Sequence, residues 1–167
     1  MAPIRALILL KSVHHLNTAK VARSIADVLQ ADVVSPEDVT PEIINEYDLF
    51  GFGSGVYFCR LHSALRHWVT RLKPSTERPR AFIFSTAGSP YLQRLWHRPV
   101  KKALSKRGFD VIGEFCCRGY DTVGPLSFVG GLNRGHPDEK DLAQAVAFAQ
   151  KLLASFHIHR SVAGEHC

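Results

Sequence analysis

The chain has 167 residues, enough for one domain with a full core and short for two of ordinary size. Hydrophobic residues make up 46% and charged ones 22%, which excludes a disordered or fibrous chain, and no apolar run approaches the roughly 20 residues of a membrane span. The net charge of +6 leaves an excess of cations, part of it in RPVKKALSKRG (98–108), where a solvated helix face is the ordinary explanation.

IRALILL (4–10) is a continuous apolar run, as expected of a strand covered on both faces. It breaks into KSVHHLNT; from Thr18 the residues Val21, Ala22, Ile25, Ala26 and Leu29 recur with helical spacing, and Asn17 is in place to cap that helix. ADVV (31–34) predicts a short peripheral strand, and YDLFGFGSG (47–55) a third strand ending in glycines. Leu61, Leu65, Trp68, Val69 and Leu72 mark a second helix, stopped by Pro74. RAFIFSTAG (80–88) predicts a fourth strand, residues 92–107 a helix, and FDVIGEFCC (109–117) a fifth strand. After a long loop, 118–136, the last helix starts near HPDEKD and carries Leu142, Ala145, Val146, Ala149 and Leu153. The start of the chain has no signal-type cleavage site, so a cytoplasmic protein is expected, with one domain over 1–156 and a flexible tail over 157–167.

Strands alternating with helices imply a parallel sheet with right-handed crossovers and helices on both faces. Such sheets bind ligands beyond the carboxyl ends of their strands. Three strand ends here are small, polar or Gly-rich: KSVHHLNT, GSGVYF and STAGSPY. At the first of them Ser12, His14, His15, Asn17 and Thr18 precede a helix, whose free N–H groups and dipole suit an anion such as a phosphate monoester. Other chemistry finds no pattern. Cys59, Cys116, Cys117 and Cys167 have no CxxC spacing and read as reduced thiols. His62 and His67 lack the HExxH arrangement of a metal site, and the first loop lacks GxGxxG and GKS/T.

KSVHHLNTAKVA, YDLFGFGSGVYF and AFIFSTAG, in this order, resemble the flavodoxin family, and GYDTVGPLSFVGGLNRGHPDEKDL is similar to the end of its small bacterial and archaeal members. The resemblance implies an α/β fold, a flavodoxin-like three-layer α/β/α sandwich on a five-stranded parallel sheet of order 2-1-3-4-5, with FMN as cofactor. It implies that Ser12, His14, His15, Asn17 and Thr18 hold the phosphate, and that Ser54 and Gly55, with Val56 following, turn a carbonyl toward the flavin. Tyr57 or Phe58 would cover a ring face, Ser85, Thr86, Ala87 and Gly88 would offer backbone N–H groups, and Tyr91 is a second stacking candidate. Gly119 and Tyr120 open the loop 118–135, long enough to wall a binding site. One position departs from the family's loop: Leu16 stands where a glycine usually precedes the Asn-Thr pair, and a positive φ there would strain it.

The expected function is electron transfer between redox partners, since no general base or nucleophile is evident. The alternatives are an FMN-dependent NAD(P)H/quinone-type reductase, walled by the 118–135 loop, and a module that keeps the fold but has lost FMN. The positive charge predicts an acidic redox partner whose association weakens as salt rises. Nucleic acid is disfavoured, because the cations are not interleaved with an aromatic platform.

Overall fold

The computed structural model describes residues 4–12, 16–57, 59–120 and 133–164, with backbone alone over 157–164. The elements are β1 (Ala6–Lys11), α1 (Asn17–Leu29), β2 (Asp32–Val34), a 3-10 turn (Pro41–Glu46), β3 (Leu49–Tyr57), β4 (Arg60–Leu61) and α2 (Ser63–Arg71). They continue with β5 (Arg80–Ala87), a second 3-10 turn (Pro90–Leu92), α3 (Gln93–Lys106), β6 (Asp110–Arg118) and α4 (Glu139–Gly164). The strands pair in the order β2-β1-β3-β5-β6, all parallel, with β4 folded back antiparallel on β3. With β4 set aside this is the expected 2-1-3-4-5.

Period-two alternation along each strand sends its side chains to two different cores. Ala6 and Ile8 of β1, with Phe82 and Phe84 of β5, face Val21, Ile25 and Leu29 of α1 and Ala145, Ala149 and Leu152 of α4. Leu7 and Leu9, with Phe50, Phe52 and Ile83, face Leu65, Trp68 and Val69 of α2 and Trp96, Val100 and Leu104 of α3. Each fully buried Leu, Ile or Phe among them stabilises the fold by about 1.5–3 kcal/mol relative to exposure. The helices therefore lie on both faces, and the carboxyl ends of β1, β3, β5 and β6 meet at one edge.

Three boundaries differ from the sequence expectation. β3 does not end at Gly55 but continues to Tyr57, because Val56 and Tyr57 pair with Leu61 and Arg60 in a hairpin. That hairpin takes Leu61 out of the second helix, which begins at Ser63. The last helix runs to Gly164, past Leu153, the last residue of its expected apolar pattern. The glycines of FGFGSG also have a packing role. A Cβ at Gly51 would come within 2.5 Å of the Phe82 ring, and one at Gly53 within 2.0 Å of the Phe84 ring, so both rings lie across β3.

Candidate functional site

The turn after β1 is built unlike the starts of α2 and α4. Leu16 occupies the cap position of α1 in the left-handed region (φ 53°) and supplies no side-chain cap. Its side chain is 62% exposed, so it does not plug the turn. Asn17, expected as the cap, is instead the first helical residue, and its Nδ2 donates to the Tyr120 carbonyl at 2.8 Å. A left-handed residue before it turns the Asn17 side chain away from the helix axis and across to β6. The Ser12 hydroxyl is buried with no hydrogen-bond partner among the described residues. Lys11, at the end of β1, is paired with Glu37 at 2.6 Å.

The neighbouring strand ends close on this turn. Thr18 and Thr86 share a hydrogen bond between their hydroxyls at 2.8 Å, both residues buried. Gly119 N donates to the Ala87 carbonyl at 2.9 Å, and a Cβ on Gly119 would lie 3.0 Å from Thr86 Cβ and 3.3 Å from Asn17 Nδ2. A side chain at Gly119 would have to push Thr86 or Asn17 aside by a few tenths of an ångström. Asn133 Nδ2 donates to the Gly88 carbonyl at 2.7 Å, bringing the far end of the long loop to the same edge. Ser12, Asn17, Thr18, Thr86, Ala87, Gly88, Gly119 and Tyr120, scattered from residue 12 to residue 120, thus meet at one edge of the sheet.

Other expected site residues have different surroundings. Ser54 is fully buried; its Oγ accepts from His62 N at 2.9 Å and donates to the Gly55 carbonyl, tying β3 to the start of α2. Gly55 lies under Tyr57, whose hydroxyl would meet a Cβ there at 2.8 Å, so Tyr57 folds back over its own strand. The Tyr57 ring meets His62 edge-on. Val56 pairs with Leu61 in the hairpin. Tyr91 stands 83% exposed on the second 3-10 turn. His14, His15, Phe58 and Asp121 lie outside the described residues, as does the loop over 121–132.

One buried network was not read from the sequence. Ser85 Oγ and His97 Nε2 are 2.8 Å apart, His97 Nδ1 and Glu114 Oε2 3.1 Å, and Lys101 Nζ donates to the other Glu114 oxygen. Burial lowers the imidazole's pKa, and the Glu114 carboxylate only partly offsets this. Neutral His97 then donates from Nδ1 to Glu114 and accepts at Nε2 from the Ser85 hydroxyl. Burial likewise pushes the adjacent Cys116 thiol up to about 11, which keeps it protonated and unreactive at neutral pH. The signal for His97 was its phase: it falls on the same side of α3 as Trp96, Val100 and Leu104, where a polar residue demands partners.

Sulfate, phosphate and carboxylate groups bind where helix N–H groups lack internal acceptors. The start of α1, with a buried hydroxyl beside it that has no partner among the described residues, fits the phosphate of a mononucleotide cofactor on these grounds.

Comparison with known proteins agrees with this geometry. A family model described as a flavodoxin domain matches residues 7–118. An uncharacterized protein of Methanocaldococcus jannaschii is 45% identical over 150 residues, spanning 90% of this chain and 99% of its own. Oxidised Flavodoxin 2 from Bacillus cereus superposes with a TM-score of 0.68 at 16% identity, over 90% of this chain and 99% of that one. Rubredoxin oxygen:oxidoreductase from Desulfovibrio gigas superposes with a TM-score of 0.62 at 16% identity, over 87% of this chain but 34% of its own. At such identities the solved structures speak for the fold alone.

Proposed function

The chain belongs to the flavodoxin family, and from that premise we propose that it binds FMN and carries electrons between redox proteins. The observation that carries the reading is the open start of α1: no side chain caps it, and the buried Ser12 hydroxyl beside it has no partner among the described residues. In this reading Ser12 and the backbone N–H groups of Asn17 and Thr18 hold the phosphate, with His14 or His15 adding a donor from the same turn. Helix-end dipoles and neutral donors then meet an anion that Lys11, committed to Glu37, does not neutralise. The Asn17–Tyr120 and Thr18–Thr86 bonds tie the start of α1 to the ends of β6 and β5; the ring would lie along Gly55, Val56 and Tyr57 on one side and Thr86, Ala87 and Gly88 on the other. Gly119 and Tyr120 close the far edge, and Tyr91 is near enough in sequence to shield it.

FMN supplies the electron chemistry; the protein binds it, excludes water from the ring and exposes an edge. Among the described residues no helix is long and apolar enough to cross a membrane. The test is a flavin titration of the purified protein, followed by visible absorbance. FMN is expected to bind at least ~100-fold more tightly than riboflavin, because several charge-assisted hydrogen bonds go to the phosphate. Equal affinity for the two removes the phosphate seat, and no binding of either leaves a fold without its cofactor. Steady NAD(P)H oxidation with a quinone and no partner enzyme would turn the carrier into a reductase.

A further inference from the structure

α3 carries Arg94, Arg98, Lys102 and Lys106 at four-residue spacing, which sets four exposed cations in one row on the helix. None of them forms an ion pair among the described residues; the nearby Glu114 is taken by Lys101 and His97. Like charges at this spacing repel one another along the helix, so the row opposes the folding of its own element. At the end of the row nearest the β5 strand end, Tyr91, Leu92 and Leu95 are 83%, 52% and 57% exposed. An apolar tip continuous with a cationic ridge, beside the edge proposed for the flavin, has the composition of an interface rather than of solvated surface.

We propose that the outer face of α3, with the Tyr91–Leu95 tip, is the docking surface for an acidic redox protein. The inference rests on the carrier reading for why a partner must come to this edge, and on charge complementarity for what the partner is. A second copy of this chain is repelled, because each brings the same row and a net charge of +6. An anionic membrane would want an apolar stripe along the helix, and the stripe α3 has, Trp96, Val100 and Leu104, is buried in its own core. From Arg94 to Lys106 the row runs about 18 Å along the helix. The acidic partner removes the row's self-repulsion, and the tip excludes water around the contact.

The test uses the full chain labelled with 15N and an acidic [2Fe–2S] ferredoxin as probe, at low and at physiological salt. Amide shifts confined to residues 89–106, with affinity falling at least ~10-fold between 20 and 200 mM salt, are expected. The triple variant Arg94→Glu, Arg98→Glu, Lys102→Glu should weaken binding at least ~10-fold, whereas Leu92→Ser with Leu95→Ser should weaken it without changing the salt dependence. Circular dichroism confirms that each variant keeps its helix content. No binding at 20 mM salt, shifts mapping elsewhere, or a neutral triple variant overturns the proposal, as does tighter binding of phosphatidylserine vesicles or of single-stranded DNA to the same face. Each experiment is run with and without added FMN. Docking on α3 by a protein that takes no FMN defeats the carrier reading alone; FMN binding without docking defeats this one alone.

Discussion

α1 and α2 both start at the same edge of the sheet, yet their starts are built in opposite ways. At α2 the His62 side chain caps the helix, its Nδ1 accepting from Ala64 N at 3.1 Å, and Ser54 accepts from His62 N. The start of α4 is closed likewise, by Asp138 and Asp141, each accepting from the other's backbone N–H. At α1 no described side chain caps the helix, the adjoining hydroxyl is buried without a partner among the described residues, and Asn17 and Thr18 reach sideways to Tyr120 and Thr86. A closed start stabilises the free protein; an open one sacrifices about 1 kcal/mol of capping so that a ligand can supply the acceptor. The same contrast holds deeper in the sheet, where the α3 face satisfies every member of the Ser85–His97–Glu114–Lys101 chain.

The sharpest way to break that contrast is at the satisfied end. His97→Ala removes a fully buried ring and strips partners from Ser85 and Glu114, so unfolding free energy should fall by about 2–4 kcal/mol in urea denaturation. FMN affinity of the folded variant should stay within about threefold, since the α3 network serves architecture. Parallel loss of affinity would mean that the two regions are one site. The complementary change is Ser12→Ala at the open end. Removing a hydroxyl that has no partner among the described residues should leave stability unchanged or slightly higher. FMN should bind about 10-fold more weakly, the loss of roughly one charge-assisted bond, with riboflavin unaffected. A variant that loses stability but not FMN would show that Ser12 belongs to the fold.

Acid sharpens the comparison less steeply. Burial holds His97 below its ordinary value of 6.5, so below that pH the unfolded chain binds more protons than the folded one. Stability contributed by neutral His97 is therefore complete above pH 6.5 and declines as pH falls through 6.5 toward the lower folded value. The charged groups facing the ring are Glu114 from β6, which opposes the shift, and Lys101 from α3, which adds to it. Thermal melts between pH 7.5 and 5 should show a smaller loss of stability in His97→Gln than in the parent, by a fraction of one proton in slope. Identical slopes would place the acid sensitivity elsewhere.

The layered parallel sheet was legible, because alternation and helical periodicity are local; its strand order came from the family resemblance. What sequence could not supply were contacts across the sheet. FGFGSG reads as a strand ending in glycines, and nothing local reveals that the Phe82 and Phe84 rings lie over Gly51 and Gly53. Asn17 reads as a cap until β6 brings the Tyr120 carbonyl, 103 positions away, within reach. Gly55 reads as the strand end because nothing local reveals that Val56 and Tyr57 will pair with residues beyond the turn. Strand ends are decided by partners, and partners are long-range.

The mildest change tests whether the open turn is strained as well as uncapped. Leu16 holds φ 53° with its side chain 62% exposed, so the residue gives up little apolar burial in exchange for its left-handed backbone. For a residue bearing a Cβ that conformation costs about 1 kcal/mol, and glycine escapes most of it while adding some entropy to the unfolded chain. Leu16→Gly should therefore stabilise the protein by about 0.5 kcal/mol in urea denaturation. The more telling number is the affinity for FMN. If the turn is held in its binding shape by α1 and the Asn17–Tyr120 bond, Leu16 is a tolerated substitution and affinity rises less than about threefold. If affinity rises by ten-fold or more, the leucine is what keeps the turn from closing on a phosphate, and the rigidity assigned here to the neighbouring strand ends is wrong.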